Sequence, residues 1–280
     1  MIFKYMPRVT ITPGVCEAER IEELVRRCVE YRYDEVMFFV NAENLYRGFV
    51  DISSLEPQVK LIKRAKSALA AEGIKTSVNP WTSIGQAEWG VFKDEHGFRH
   101  MVDVDGKAAE MTACPLDETW RDYVLNYYDY LAKEIEPETL WVEDDFRLHN
   151  HYPLHWGGCF CKEHMKLYCA RLEKNVDVQE FARGMALNAE GDWKGVLCGL
   201  CGETPIDRIH LPMYRQFCLQ DYCWCFNDIS MSTRALLPEN TIVLPEVENA
   251  MFSPYTKSVN TTRFQVESSL ALLSKGITLD

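Results

Sequence analysis

Apolar and polar positions along this chain fall into alternating short and long blocks. Residues 8–13 (RVTITP) form a short apolar run, and residues 17–31 repeat apolar side chains at helical spacing through Ile21, Leu24, Val25 and Cys28. Residues 34–41 predict a second strand that runs into the polar Ala42-Glu43-Asn44. In the helix predicted next, Ser53 and Glu56 fit a capping box. Val59, Leu61, Ile62, Ala65 and Leu69 supply its apolar stripe, and Gly73 supplies its stop. Residues 74–79 predict a third strand, ending in Asn79-Pro80-Trp81.

Between residues 83 and 114 the pattern breaks into short alternating pieces, with Gly97 and Gly106 as turn residues, which predicts an inserted β-hairpin excursion. Asp117 predicts the cap of a helix reaching to about residue 134, with Trp120, Val124, Leu125 and Leu131 turned inward. Residues 139–142 read as a fourth strand, 161–238 as largely helical, 241–244 as a fifth strand, 262–274 as a last helix and 277–280 as a sixth strand. Such alternation favours a parallel α/β fold, and the polar residues gathered after each strand fit the loop face of a (β/α)8 TIM-type barrel. With six strands counted, the expectation is one barrel-type domain over residues 1–280, truncated after about six strands, with insertions near 83–114 and 150–207.

A chain of 280 residues with 47% hydrophobic content can bury a core of that size. The net charge of −12, with no Lys/Arg stripe, argues against nucleic acid as a partner. No apolar run approaches a membrane span and the start lacks a signal-peptide pattern, so a cytoplasmic protein without a membrane partner is expected; homo-oligomerisation is left open. The 11 cysteines are an odd number spread over a large domain, which points to free thiols; Cys28, Cys169, Cys218 and Cys225 sit in apolar helical patterns as small core residues.

The densest chemistry lies in LWVEDDFRLHNHYPLHWGGCFCKEH, where an apolar strand delivers Glu143, Asp144 and Asp145. Strand alternation puts Glu143 and Asp145 on one side and Asp144 on the other. Carboxylates crowded in this way raise one another's pKa, which suits general acid work or cation binding; a solvated acidic loop is the competing reading. A second acidic exit, Glu246 and Glu248, follows the fifth strand.

Three stretches, CPLDETWRDYVLNYYDYLAKE, LWVEDDFRLHNH and CFCKEHMKLYCARL, taken in this order, resemble the glycoside hydrolase barrels of the β-galactosidase-like type. LPEVENAMFSPYTKSVNTT is similar to a substrate-side loop of that group. The resemblance implies hydrolysis of a β-linked, galactoside-like sugar by carboxylate acid/base chemistry, with Glu143 as the acid/base and Asp145 or Glu246 as the second carboxylate. Two departures stand out: the family's strand-end Asn-Glu is Val142-Glu143 here, and the family's nucleophile lies on a seventh strand that this chain lacks. The family's Cys-x-Cys-x-x-Cys run appears as Cys159-x-Cys161-x-x-His164, which together with Cys114 makes a candidate four-ligand structural zinc site. Cys198-x-x-Cys201 is a weaker second pair. No organic cofactor is expected. Asp144, Arg147, Asn79, Trp81 and Glu248 are candidate substrate contacts, with Trp156 as a further stacking ring, while Trp141 reads as core and His149, His151 and His155 as loop residues or sugar contacts. The alternatives are a metal-dependent hydrolase using Asp144, Asp145 and a nearby His, and a carbohydrate-binding barrel without catalysis.

Overall fold

The computed structural model describes residues 4–42, 48–81, 96–103, 106–142, 159–172, 242, 244–247, 258–271 and 274–279. Strand β1 (Lys4–Val9) begins four residues before the predicted start. Its position is set by its neighbours: Lys4 to Pro7 pair with Gly276 to Leu279 of β7 (Gly276–Leu279), and Arg8 pairs with Met37 of β2 (Glu35–Val40). Helix α1 (Glu17–Glu30) lies between β1 and β2 and buries Ile21 and Cys28.

Every residue of β2 is buried, so both faces of this strand are covered, as a central parallel strand requires. Val36, Phe38 and Val40 join the core formed with α1 and with α2 (Glu56–Ala71). Met37 and Phe39 point to the opposite face of the sheet. The capping box expected from Ser53 and Glu56 does not form. A 3-10 turn, Ile52–Leu55, precedes α2, the Ser54 hydroxyl donates to the Asp51 carbonyl at 2.6 Å, and Pro57 opens the helix without a side-chain cap. Gly73, at φ +75°, closes α2 and turns the chain into β3 (Lys75–Pro80).

The described strands form a parallel sheet in the order β3-β2-β1-β7-β6, where β6 is Glu246–Val247, and β7 is paired along both edges. A fourth strand over 139–142 is reduced to one parallel bridge, Leu140 to Val78, held by Trp141 N–H donating to Val78 O at 2.9 Å; Val142 beyond it is exposed. The fifth strand is displaced from the predicted 241–244 to Glu246–Val247, where Thr278 and Leu279 offer partners, while Ile242 is exposed. Helix α5 (Val259–Ala271) likewise starts three residues earlier than predicted. The helices expected between residues 173 and 238 lie outside the described residues.

The predicted excursion is present as an antiparallel hairpin, β4 (His100–Val102) with β5 (Ala108–Ala113). Asp117 caps α3 (Glu118–Ile135) by accepting from Trp120 N–H at 3.0 Å. Trp120, Val124 and Leu131 are buried, but Leu125 is 67% exposed, one helical position off the inner stripe. No described helix is long and apolar enough to cross a membrane.

Gly276 marks the tightest strand contact: a Cβ there would lie 2.5 Å from Lys4 O and 2.8 Å from the Leu244 side chain. Gly276→Ala is therefore expected to destabilise the fold by about 1–3 kcal/mol through overpacking, read as a lower urea midpoint at unchanged slope.

Candidate functional site

The carboxyl ends of β1, β2 and β3 share one rim of the sheet. Arg8 lies with its guanidinium carbon 4.5 Å above the Phe39 ring, and Phe39 meets Trp81 edge-to-face at 4.7 Å. Asn79 pairs in register with Phe39 and is buried; Trp81 is half-buried, and its N–H donates to Val40 O at 2.9 Å. Asn79 and Trp81 thus fall on the rim where the sequence predicted substrate contacts. Arg8 and Phe39 were not singled out by the sequence, because a strand predicted over 8–13 places Arg8 at its opposite end.

Beneath this rim, fully buried Gln58 of α2 ties three segments together. Its Nε2 donates to Phe39 O at 3.1 Å and Ile11 O at 3.5 Å, and its Oε1 accepts from Asn41 N–H at 3.2 Å. Asn41 holds a left-handed backbone, φ +60°, where the chain leaves β2. Gln58→Leu is expected to cost about 1–3 kcal/mol by stranding these buried groups, measured as a drop in unfolding free energy.

Glu143, Asp144, Asp145, Arg147 and Glu248 lie outside the described residues, as do the Cys198/Cys201 pair and His149, His151 and His155. The backbone of Glu246 opens β6, paired with Thr278. The parallel bridge between Leu140 and Val78 places Trp141 and Val142 beside the carboxyl end of β3.

The other predicted cluster comes together. Cys114, Cys159, Cys161 and His164 present ligand atoms all within 4.8 Å of one another. Cys114 ends the hairpin, with its N–H donating to Arg99 O at 2.7 Å. Val102 of β4 donates its N–H to the Cys159 sulfur at 3.4 Å and accepts from Phe160 N–H at 2.7 Å. Cys161 sits one residue before α4 (Lys162–Leu172), with its carbonyl taken by Met165 N–H at 2.9 Å, so His164 returns to it after one turn. An ion pair between Arg99 and Glu163, 2.7 Å, fastens the start of α4 to the hairpin.

Cys114 Sγ is 3.9 Å from both other sulfurs and 3.6 Å from His164 Nδ1, while Cys161 Sγ is 3.3 Å from the same nitrogen. Four N/S ligands at tetrahedral zinc distances have edges of about 3.8 Å between sulfurs and about 3.5 Å between sulfur and nitrogen. The spacing fits a four-coordinate, closed metal site. Hydrogen bonding from Cys159, reinforced by His164, pulls the Cys114 thiol down to about 4, while Cys159 is pushed up by sharing its proton with Cys114 and by burial. Burial also pushes up Cys161. A divalent ion would let all three sulfurs ionise. Cys28, whose thiol burial raises to about 11, is the core residue its helical pattern predicted.

No protein-family model matches the chain, and no curated protein does. Among solved structures it is similar to a GH20 exo-β-N-acetylglucosaminidase from Vibrio harveyi, at 10% identity and TM-score 0.40, over 68% of this chain and 33% of that one. It is also similar to the pneumococcal GH20 exo-β-D-N-acetylglucosaminidase StrH, at 11% identity and TM-score 0.37, over 69% and 52% of the two chains. A third neighbour is the α-N-acetylgalactosaminidase NagBb from Bifidobacterium bifidum, at 14% identity and TM-score 0.36, over 51% and 27%. The chain spans between about a quarter and a half of these proteins' lengths. These neighbours are glycosidases of the hexosaminidase kind, not of the galactosidase kind, and at such scores the likeness assigns no activity.

Proposed function

We propose that the chain is a (β/α)8-type glycoside hydrolase domain that cleaves a β-linked sugar at the carboxyl ends of its strands. The observation that carries this reading is the shared rim, where Arg8, Phe39, Asn79 and Trp81 gather at the carboxyl ends of β1, β2 and β3. Catalytic residues of such barrels come from the ends of several strands at this face. An aromatic ring beside amide and guanidinium donors suits a sugar's apolar face and its hydroxyls. Pairing of the last described strand with the first, β7 with β1, supports a barrel over an open sheet with β1 at its edge.

Glu143 is assigned as general acid/base and Asp145 or Glu246 as the second carboxylate, with Asp144, Arg147 and Glu248 as further substrate contacts. A galactoside-like substrate follows from the sequence resemblance alone. The Cys114, Cys159, Cys161 and His164 set is assigned as structural zinc, binding the hairpin to α4 and supplying no catalytic group. All four positions are filled by protein ligands, so no site is left for a substrate or water.

Hydrolysis of p-nitrophenyl β-D-galactopyranoside and β-D-N-acetylglucosaminide, with and without a chelator, tests the reading. Turnover that survives brief chelation supports it. Immediate, reversible loss of turnover with the fold intact would favour a metal-dependent hydrolase, and sugar binding without turnover a binding barrel.

A further inference from the structure

Among the described residues that end β1, β2 and β3 on the face of Phe39, Arg8 carries the charge. It pairs in register with Met37, two residues before Phe39 on the same face, yet its guanidinium carbon lies 4.5 Å above the Phe39 ring. The side chain therefore runs up the sheet toward the rim, and its head lies over the residue that pairs with Asn79. Attraction to the ring sets where the cation sits, and a guanidinium offers a rigid fork of N–H donors and no acceptor. The platform is rigid as well. Trp81 braces Phe39 edge-to-face at 4.7 Å, and the Gln58 amide, shared between Phe39 O and Ile11 O, ties the end of β2 to the chain leaving β1.

We propose that Arg8 binds the carboxylate of a sugar acid, so that the glycone taken here is a β-linked hexuronide and not the corresponding neutral hexose. This inference rests on the glycosidase reading. A guanidinium matches a carboxylate with two parallel N–H···O bonds, whereas a sugar hydroxyl brings a proton of its own that Arg8 has no acceptor to receive. The charge-assisted pair is also the stronger of the two. Burial suits it: Arg8 is half-buried, which weakens competition from water and leaves the head within reach of a ligand. Buried Asn79 adds an amide on the same face, and half-buried Trp81, just past β3, adds apolar surface for the sugar ring. A hexuronide keeps the galactoside-like ring, since the two differ only at C6, where a hydroxymethyl group becomes a carboxylate.

Paired p-nitrophenyl substrates that differ only at C6 isolate this contact in the full chain: β-D-galacturonide against β-D-galactoside, and β-D-glucuronide against β-D-glucoside. In the parent protein kcat/KM is expected to be higher for the uronide by roughly tenfold or more, the size of a charge-assisted hydrogen bond. Arg8→Met, which keeps the length and apolar stem of the side chain, is expected to bring that ratio to roughly one. Arg8→Lys keeps the charge, loses the fork and is expected to lower the ratio. A ratio is unaffected by the amount of active protein, and the parent's own ratio needs no variant. A parent that cleaves the neutral sugar as well as the uronide, or better, makes Arg8 a partner of the chain's own groups and overturns the proposal. So does a uronide preference that both variants keep. If the parent protein neither binds nor cleaves any of these glycosides or the β-D-N-acetylglucosaminide, the glycosidase reading falls and takes the uronide with it. Cleavage of neutral glycosides alone removes the uronide assignment and leaves that reading in place.

Discussion

Glu143→Gln is expected to lower glycoside turnover by roughly 10²–10⁴-fold, the range for losing a general acid, with little change in the melting temperature. The carboxylate lies three residues after Leu140, which makes a parallel bridge to Val78. A strand-end acid with a second acid on the same side is disfavoured as the anion, so it keeps a proton toward neutral pH and can donate it to a leaving oxygen. Glutamine keeps the shape and the hydrogen-bonding reach but has no proton to give. Substrates with an activated leaving group should therefore lose less than those with a poor one, because they need less protonation. That contrast separates an acid from a mere sugar contact, which would slow both alike. Equal turnover of variant and parent on every cleaved glycoside would end the assignment, and loss of folding would make Glu143 an ion-pair partner, with Arg147 its nearest candidate in sequence.

How far the sequence foretold this site depended on how local each signal was. The metal cluster was legible because residue type carries the chemistry: three thiols and an imidazole at ligand spacing need only converge, and they do. The cap at Asp117 was legible for the same reason. Strand ends were not, since a parallel strand begins where its neighbours offer hydrogen bonds. Lys4 sits within β1 because Gly276 of β7 pairs with it, and Glu35 on β2 meets its ammonium at 3.3 Å. That ion pair cannot be read from either segment alone. The four-residue error in β1 then hid Arg8, placing it at the start of a strand instead of the rim. Likewise the apolar TIVL suggested a strand, yet the pairing falls on Glu246–Val247, next to Thr278 and Leu279. The capping box at Ser53 failed because the 3-10 turn consumed the local backbone bonds that a capped start would have left open.

Removal of the metal is expected to have the largest effect on stability of any single change. Structural zinc binds zinc-finger peptides with about 10–16 kcal/mol near neutral pH, and the part of that energy coupled to folding is lost with the ion. Here the four ligands join segments far apart in the chain, Cys114 at the end of the hairpin and Cys159 to His164 at the start of α4. Besides the cluster, the ties between them include the Phe160 and Val102 backbone bond, the Val102 contact to the Cys159 sulfur, and the exposed Arg99–Glu163 ion pair. An exposed ion pair contributes about 1 kcal/mol at most, so a bound metal is expected to dominate the junction. The purified protein should carry one zinc per chain by elemental analysis. Cys161→Ala should abolish it and lower the melting temperature by roughly 6 °C or more, which corresponds to at least about 1.5–3 kcal/mol for a domain of this size. Hydrogen exchange should then rise first in β4, β5 and α4, with β1, β2 and β3 following only at global unfolding, because the ligands are carried by the end of the hairpin and the start of α4. Since the thiols must ionise to bind, affinity should fall as the pH is lowered, and acid should release the metal before it unfolds the sheet. A protein that purifies without metal and melts at the same temperature with chelator, with Cys161→Ala no less stable, would show that the cluster is a set of packed thiols and nothing more.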